Sequence, residues 1–326
     1  MKNNLVIFFC FFLVVINAFS QNIKINLEEN KLIWNSAKHN AFTTLCFYED
    51  SFLCAFREGS SHKSYDGIIR LISSRDTAKW SNDTIFKKEG EDFRDPKLLV
   101  VEDALYLLFV SRTKDEHFSY TYILDNVSKK WRLIDRTKGT WRWGVTSNKK
   151  VVYSTAYSGV DKTGSIYSFN TESKDVTWEK IGKDIYPNIF NQPNEAAILI
   201  NSKGDKFILL RQEKGSQNSQ LGILRSESSV WEWFDLGERI GSPEGVLIDD
   251  ENILFCIRSY PLNKTSIGVL NIESKKLNTL LVLHSGGDTG YASILKYNKK
   301  FYISYNSSLN LEKKTSVYLA EISLEE

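Results

Sequence analysis

Side chains able to do acid, base or anion chemistry recur in this chain at the ends of short apolar segments. HNAF and AFREGSSH carry His39, Arg57, Glu58 and His62, while FRDPK and VSRT carry Arg94, Asp95 and Arg112. WRWG carries Arg142, and the segment after it ends near Tyr157. PNEAA and LLRQE carry Glu195 and Arg211, and SPEG and CIRSY carry Glu244 and Arg258. DTGY and ISYNSS carry Asp288, Tyr291 and Tyr305. The planar fork of arginine binds carboxylates bidentately. Arginines, carboxylates and phenols gathered at one place therefore suit an anionic ligand. Their other use is salt bridging between packed elements, and residue types alone leave both open.

One segment sharpens the question. In SGGDTGYAS, Ser285 to Ser293, glycines frame Asp288 and Tyr291 just before the hairpin ILKYNKKFYISYNSS. Glycine is expected where a backbone needs unusual dihedrals or a close approach. The hinge either bends these two side chains into a funnel or simply links two elements around a buried tyrosine.

The elements that must position these residues repeat. Polar turns end in tryptophan at EENKLIW (Trp34), SSRDTAKW (Trp80), DNVSKKW (Trp131), TESKDVTW (Trp178) and SESSVW (Trp231), and a sixth, IESKKL, ends at Leu277. The steps run from 46 to 53 residues. Each turn follows a short apolar strand such as IIRLISS, and a hairpin such as KLLVVEDALYLLFV precedes that strand. Four strands in about 48 residues, repeated, signal a β-propeller. Six units fill residues 21–326, and no amphipathic helix interrupts them. The last unit has three strands, so NKLIWNS around Trp34 is expected to complete it and remove an open edge. The tryptophans are then packing residues between blades, with sugar stacking as the alternative. In such a blade the hairpin begins and ends on one rim, so the polar set above converges there. The opposite turns, such as VED, SKGD and YNKK, are plain solvent turns.

Composition bounds the function classes. The chain has 326 residues, 42% apolar and 13% aromatic, enough for a full core. A net charge of +2 with scattered lysines gives no nucleic-acid footprint and no membrane-surface patch. Residues 1–20 read as a secretory signal peptide: Lys2, then the apolar run Leu5 to Ile16, then Ala18 and Ser20 at a cleavage site. The run is short for a span of about 20 residues, so the mature protein is expected to be secreted or periplasmic, without a membrane span. Cys46, Cys54 and Cys256 are too few for a disulfide framework. Cys46 and Cys54 flank one hairpin turn and either pair or pack as small buried residues.

With these residues in place, the chain resembles the exo-sialidases and their bacterial relatives, six-bladed propellers with a degenerate Asp-box repeat. The resemblance runs from about Ala41 to the C-terminus. SSRDTAKW is similar to an Asp box, Ser74 and Asp76 to Trp80, but one residue short. FRDPKL, NEAAI, LLRQE, IRSY and GDTGYAS follow in the family's order, with a sixteen-residue step from Glu195 to Arg211. The FREGSSH and GGDTGY blocks narrow the likeness to secreted sialidase-like proteins.

The resemblance implies roles. Tyr291 stands where the nucleophile stands and Glu195 where its activating base stands. A sialic acid bears a carboxylate on its anomeric carbon, which repels a carboxylate nucleophile; a phenol avoids that. Free tyrosine has a pKa near 10, so it needs a base partner. Arg211 and Arg258 match two of three arginines that clamp the substrate carboxylate. Asp95 matches the aspartate of the second-blade element, and Asp66, in SYDG, is the candidate general acid/base. The first arginine of the triad is missing from HNAFTTL, leaving Arg57, Arg94 or Arg142 to supply it. Asp288 is additional, either binding a sugar hydroxyl or replacing the tyrosine on a different sugar. Glu244, His62 and Tyr305 complete the expected substrate-binding set. No metal motif or cofactor fingerprint is seen: His62 and His117 read as isolated, and His39 lacks a sequence partner. The implied partner is a glycan with an anionic terminal sugar. Three functions stand: a hydrolase of acidic sugars with a tyrosine nucleophile, a carboxylate glycosidase for a uronic or neutral sugar, and a non-catalytic sugar-binding propeller.

Overall fold

A computed structural model describes residues 23–157, 164–173, 176–182, 185–186, 192–260, 262–309 and 314–325. The expected signal peptide lies outside them. The described residues form six four-stranded antiparallel sheets and no helix. The inner strands are His39–Tyr48, Asp92–Val101, Trp141–Asn148, Pro193–Ile200, Ile240–Leu247 and Gly290–Tyr297. Five sheets follow chain order from inside to outside. In the sixth, Lys24–Trp34 lies outermost, antiparallel to Ser316–Glu325, with Asn30 opposite Ala320. NKLIWNS therefore closes the ring, and the last blade is held to the first by sheet hydrogen bonds rather than by a loop.

Burial explains the strand patterns. The innermost strand of blade one is almost wholly buried, whereas an outer strand such as Lys276–Val282 is largely exposed. Apolar side chains pack between blades. Leu53, Ile69 and Leu71 of blade one meet Phe93, Leu105 and Phe109 of blade two. Phe109 is buried against Phe93 at 4.6 Å between ring centroids, so Phe109→Ala costs about 3–5 kcal/mol. Trp34, Trp80, Trp131 and Trp178 join these clusters, and Trp231 stacks on Trp233. These five tryptophans pack the blades. In the turn after blade one's third strand, Asp76 accepts the amide N–H groups of Ala78 and Lys79, and Trp80 donates to the Thr77 carbonyl.

Of the two arrangements open to Cys46 and Cys54, they pack as small buried residues. Cys46 sits opposite Leu53, and Cys54 opposite Leu45, so the register offsets the two cysteines by one residue. Alternation then sends them to opposite faces of the blade. Cys46 packs toward blade two and Cys54 toward blade six, both buried and free.

Candidate active site

Every inner strand carries one β-bulge at the same height. The two-for-one residues are Phe42–Thr43, Asp95–Pro96, Trp143–Gly144, Asn194–Glu195, Ser242–Pro243 and Tyr291–Ala292. A bulge leaves the ladder locally unpaired and re-aims a side chain, and it is where a strand tolerates proline. Phe42, Asp95, Ser242 and Tyr291 have φ of 62°, 52°, 43° and 49°. Bulky residues rarely adopt such values, and this strain clusters at functional sites. Gly290, at φ 100°, admits the last of these bulges. A Cβ there would lie 2.6 Å from the Ser242 hydroxyl.

The ring brings Tyr291 and Glu195 together. The Tyr291 hydroxyl donates to Glu195 Oε1 at 3.2 Å. Arg211 donates to Glu195 Oε2 at 2.5 Å, and the Ser242 amide donates to the same oxygen at 2.8 Å. Ser242 Oγ in turn accepts the Tyr291 amide, so blade five ties blade four to blade six. The Arg258 guanidinium lies 5.2 Å from the Tyr291 ring centroid. Burial pushes the Tyr291 phenol well above its ordinary pKa, and the Glu195 charge adds to that against Arg258 and Arg211. Burial also works against ionised Glu195, but Arg211, the Ser242 amide and Arg258 outweigh it and hold the carboxyl low. At rest the pair is therefore a protonated phenol bonded to a carboxylate.

A small recess opens beside Tyr291, lined by Phe42, Asp95, Lys97, Trp143 and Ser242 among others. Asp95 Oδ2 accepts from Trp141 at 3.1 Å, while Asp95 Oδ1 and Trp143 Nε1 are buried without a partner among the described residues. Such orphaned atoms are rare unless a site uses them. Burial raises the Asp95 carboxyl to about 6, with the Glu195 charge adding to it and Arg94 opposing.

Several rim residues do other work. Arg57 is fully buried, donates to Asp92 at 2.8 Å, and holds the Ser61 and Ser64 carbonyls. Arg94 and Arg112 donate to the other oxygen of Asp92. These three arginines thus converge on one buried carboxylate across two blades, and Arg57 cannot reach a ligand. Arg142 is buried against Asp135, Thr137 and the face of Trp178. Tyr305 is fully buried, bonded to Asn30 and stacked on Tyr318. Glu244 pairs with Lys97 at 2.8 Å and lines the central channel with residues such as Leu98 and Val246, not the rim. Glu58 holds Trp34, Ser36 and Arg70. Asp66 is half-exposed, accepts the Ser60 amide and lies 3.8 Å from Arg57.

His39 and His62 are not isolated, whereas His117 Nε2 is buried without a partner among the described residues. His39 Nε2 and His62 Nδ1 both lie 2.7 Å from Asp288 Oδ2, and Arg258 donates to Asp288 Oδ1 at 3.2 Å. Sequence reasoning places His39 and His62 at one mouth but misses their shared carboxylate. It also misses Phe42, Trp143 and Ser242 of the bulge ring. The prolines inside two apolar strands, Pro96 and Pro243, are the signal for those bulges.

No family profile and no curated protein matches the sequence. Solved structures match it in fold. A Dyadobacter fermentans protein of unknown function superposes with a TM-score of 0.77 at 15% identity, over 92% of this chain and 99% of that one. A Penicillium chrysogenum α-L-arabinanase, solved with arabinobiose, gives 0.71 at 12% identity over 91% and 98%. A Trypanosoma rangeli sialidase, solved with the inhibitor DANA, gives 0.63 at 12% identity over 87% of this chain and 55% of that one. The likeness shows the fold, a six-bladed propeller.

Proposed function

We propose that this chain is a retaining glycoside hydrolase acting on the terminal sugar of a glycan, with Tyr291 as nucleophile and Glu195 as its base. The observation that carries the reading is the Tyr291–Glu195 hydrogen bond of 3.2 Å, flanked by Arg211 and Arg258. In the first step the Tyr291 oxygen bonds to the anomeric carbon, its proton passes to Glu195, and the glycosidic bond breaks as the leaving oxygen takes a proton from a general acid. In the second, water displaces the tyrosine and gives a proton back to that acid's conjugate base, while Glu195 returns the phenol's proton. Asp95, protonated near and below pH 6, donates to a sugar hydroxyl. The sugar bears a carboxylate on its anomeric carbon, since that group makes a phenol preferable to a carboxylate nucleophile. Arg258 and Arg211 then meet the substrate carboxylate. The N-terminal run directs export, so the reaction takes place in the periplasm or outside the cell.

A second reading, an uncharged sugar, is favoured by one observation. Arg211 is bonded to Glu195 and Glu213, Arg258 to Asp288, and Arg94 to Asp92. The anion-binding charge of the rim is therefore largely met from within. The arabinose-acting neighbour in fold supports the same alternative.

Sugar release decides between them. A fluorogenic sialoside, other 2-keto sugar acids, uronosides and an arabinofuranoside are incubated with wild type, Tyr291→Phe and Glu195→Gln. Turnover of an acidic sugar, abolished by Tyr291→Phe, supports the first reading. Turnover of a neutral sugar that survives Tyr291→Phe refutes the tyrosine mechanism.

A further inference from the structure

The Tyr291–Glu195 pair lacks a group to protonate the departing oxygen, and Asp66 is engaged by the Ser60 amide beside Arg57. We propose that His62 is the general acid/base of this site, oriented by Asp288 as a His–Asp dyad; this rests on the glycosidase reading. The first observation is directional. Asp288 gathers His39, His62 and Arg258 onto its two oxygens, so its acceptor positions are engaged. This makes Asp288 a fixed anion that orients imidazole, not a nucleophile or a sugar ligand. Burial alone would raise its carboxyl, but His39 and His62 hold it below the usual carboxylate range.

The second observation is position. His62 Nδ1 faces Asp288, and its Nε2 has no partner among the described residues; the side chain is 35% exposed. The ring lies edge-on to Phe42 at 5.1 Å and 5.9 Å from Tyr291. Phe42 and Tyr291 line the small inner recess. His62 lines an outer recess of about 430 Å³, with Lys38, Ser60 and Lys314 on its walls. A proton donor to a glycosidic oxygen must stand between the sugar and its leaving group, and His62 sits on the outer recess while packing against the Phe42 and Tyr291 walls of the inner one. In the first step the His62 imidazolium gives its Nε2 proton to the leaving oxygen as the C–O bond breaks. In the second, neutral Nε2 takes a proton from the attacking water as the bond to Tyr291 breaks. Asp288 stabilises the imidazolium and takes no proton.

Two histidines and a carboxylate also suggest a divalent cation, and the geometry argues against one. Arg57 Nη1 faces His39 Nδ1 at 3.4 Å. A guanidinium only donates, so His39 Nδ1 is an acceptor and the ring proton sits on Nε2, aimed at Asp288. That nitrogen has no lone pair for a metal. Lys38 and Lys314 on the recess wall and Arg258 on Asp288 add positive charge against a cation.

The test has an arm independent of turnover. Long-range proton–nitrogen spectra of ¹⁵N-labelled protein are recorded from pH 5 to 9, for wild type and Asp288→Asn. The expected result is the Nδ1–H tautomer of neutral His62 in wild type, and a shift toward the Nε2–H tautomer in Asp288→Asn. The Nε2–H tautomer in wild type, or tight displacement of its signals by added zinc, overturns the proposal. The second arm compares His62→Gln on two aryl glycosides of the same sugar. Loss of about 10²-fold or more with a poor leaving group, and little loss with dinitrophenolate, is expected of a general acid. Equal loss on both, or the selective loss in Asp66→Asn instead, overturns it. If wild type cleaves no sugar, the glycosidase reading fails, and the spectra still decide whether Asp288 holds His62 with Nε2 free.

Discussion

Asp95→Asn isolates the energetic cost that the site imposes on the fold. The buried carboxyl moves from its usual 3.8 to about 6. At about 1.36 kcal/mol per pKa unit, the shift of roughly two units is worth about 3 kcal/mol. The sign follows from linkage. A carboxyl raised in the folded state contributes stability below its unfolded pKa, and that contribution is lost as pH rises through the folded value. Ionised Asp95 therefore weakens the wild type by about 3 kcal/mol between pH 2.5 and pH 7.5. Asparagine cannot ionise, keeps an oxygen for Trp141, and tolerates the φ of 52°. Its amide group meets no partner among the described residues at the Oδ1 position, a pH-independent loss of about 1–3 kcal/mol. Urea unfolding of both proteins across this range measures the difference. The account expects the variant to gain about 3 kcal/mol relative to wild type as pH rises. A difference that stays flat with pH refutes the argument that Asp95 is protonated near pH 6.

Further predictions follow from the same geometry. Asp92→Ala strands Arg57, Arg94 and Arg112 around a missing carboxylate and should cost about 3–5 kcal/mol in urea unfolding; a loss under about 1 kcal/mol contradicts the hub. Gly290→Ala places a methyl 2.6 Å from Ser242 Oγ at φ 100° and should lower stability by more than about 1 kcal/mol, read as a drop in melting temperature that an unchanged melt would contradict. Glu195→Gln should reduce turnover by about 10²–10⁴-fold while leaving the chain folded by circular dichroism. Alkylation of unfolded, unreduced protein should label Cys46, Cys54 and Cys256, and a Cys46–Cys54 cross-link would contradict the register.

The propeller was legible because its signals are local. Hairpins of alternating residues and a tryptophan turn recur within each unit, and the missing strand of the last blade left its complement at the N-terminus. The rim was legible as a set of residues but not as a set of roles. Arg57 and Asp92 pair across two blades, so the sequence offers no sign that the arginine is already neutralised. His39 and His62 meet Asp288 over separations of 249 and 226 residues, which only ring closure brings together. The bulges turn Phe42, Trp143 and Ser242 into the site, where an ideal alternation assigns them by parity alone. Pro96 and Pro243 mark two of these breaks, because proline cannot donate to a ladder.

The central claim is that the Tyr291 oxygen forms the covalent bond to the sugar. The measurement that tests it most directly is trapping with a fluorinated glycosyl fluoride of whichever sugar is released, followed by peptide mapping by mass spectrometry. The account predicts one sugar adduct on the peptide containing Tyr291, absent from Tyr291→Phe. An adduct on the peptide carrying Glu195 or Asp95, with Tyr291 unmodified, contradicts it.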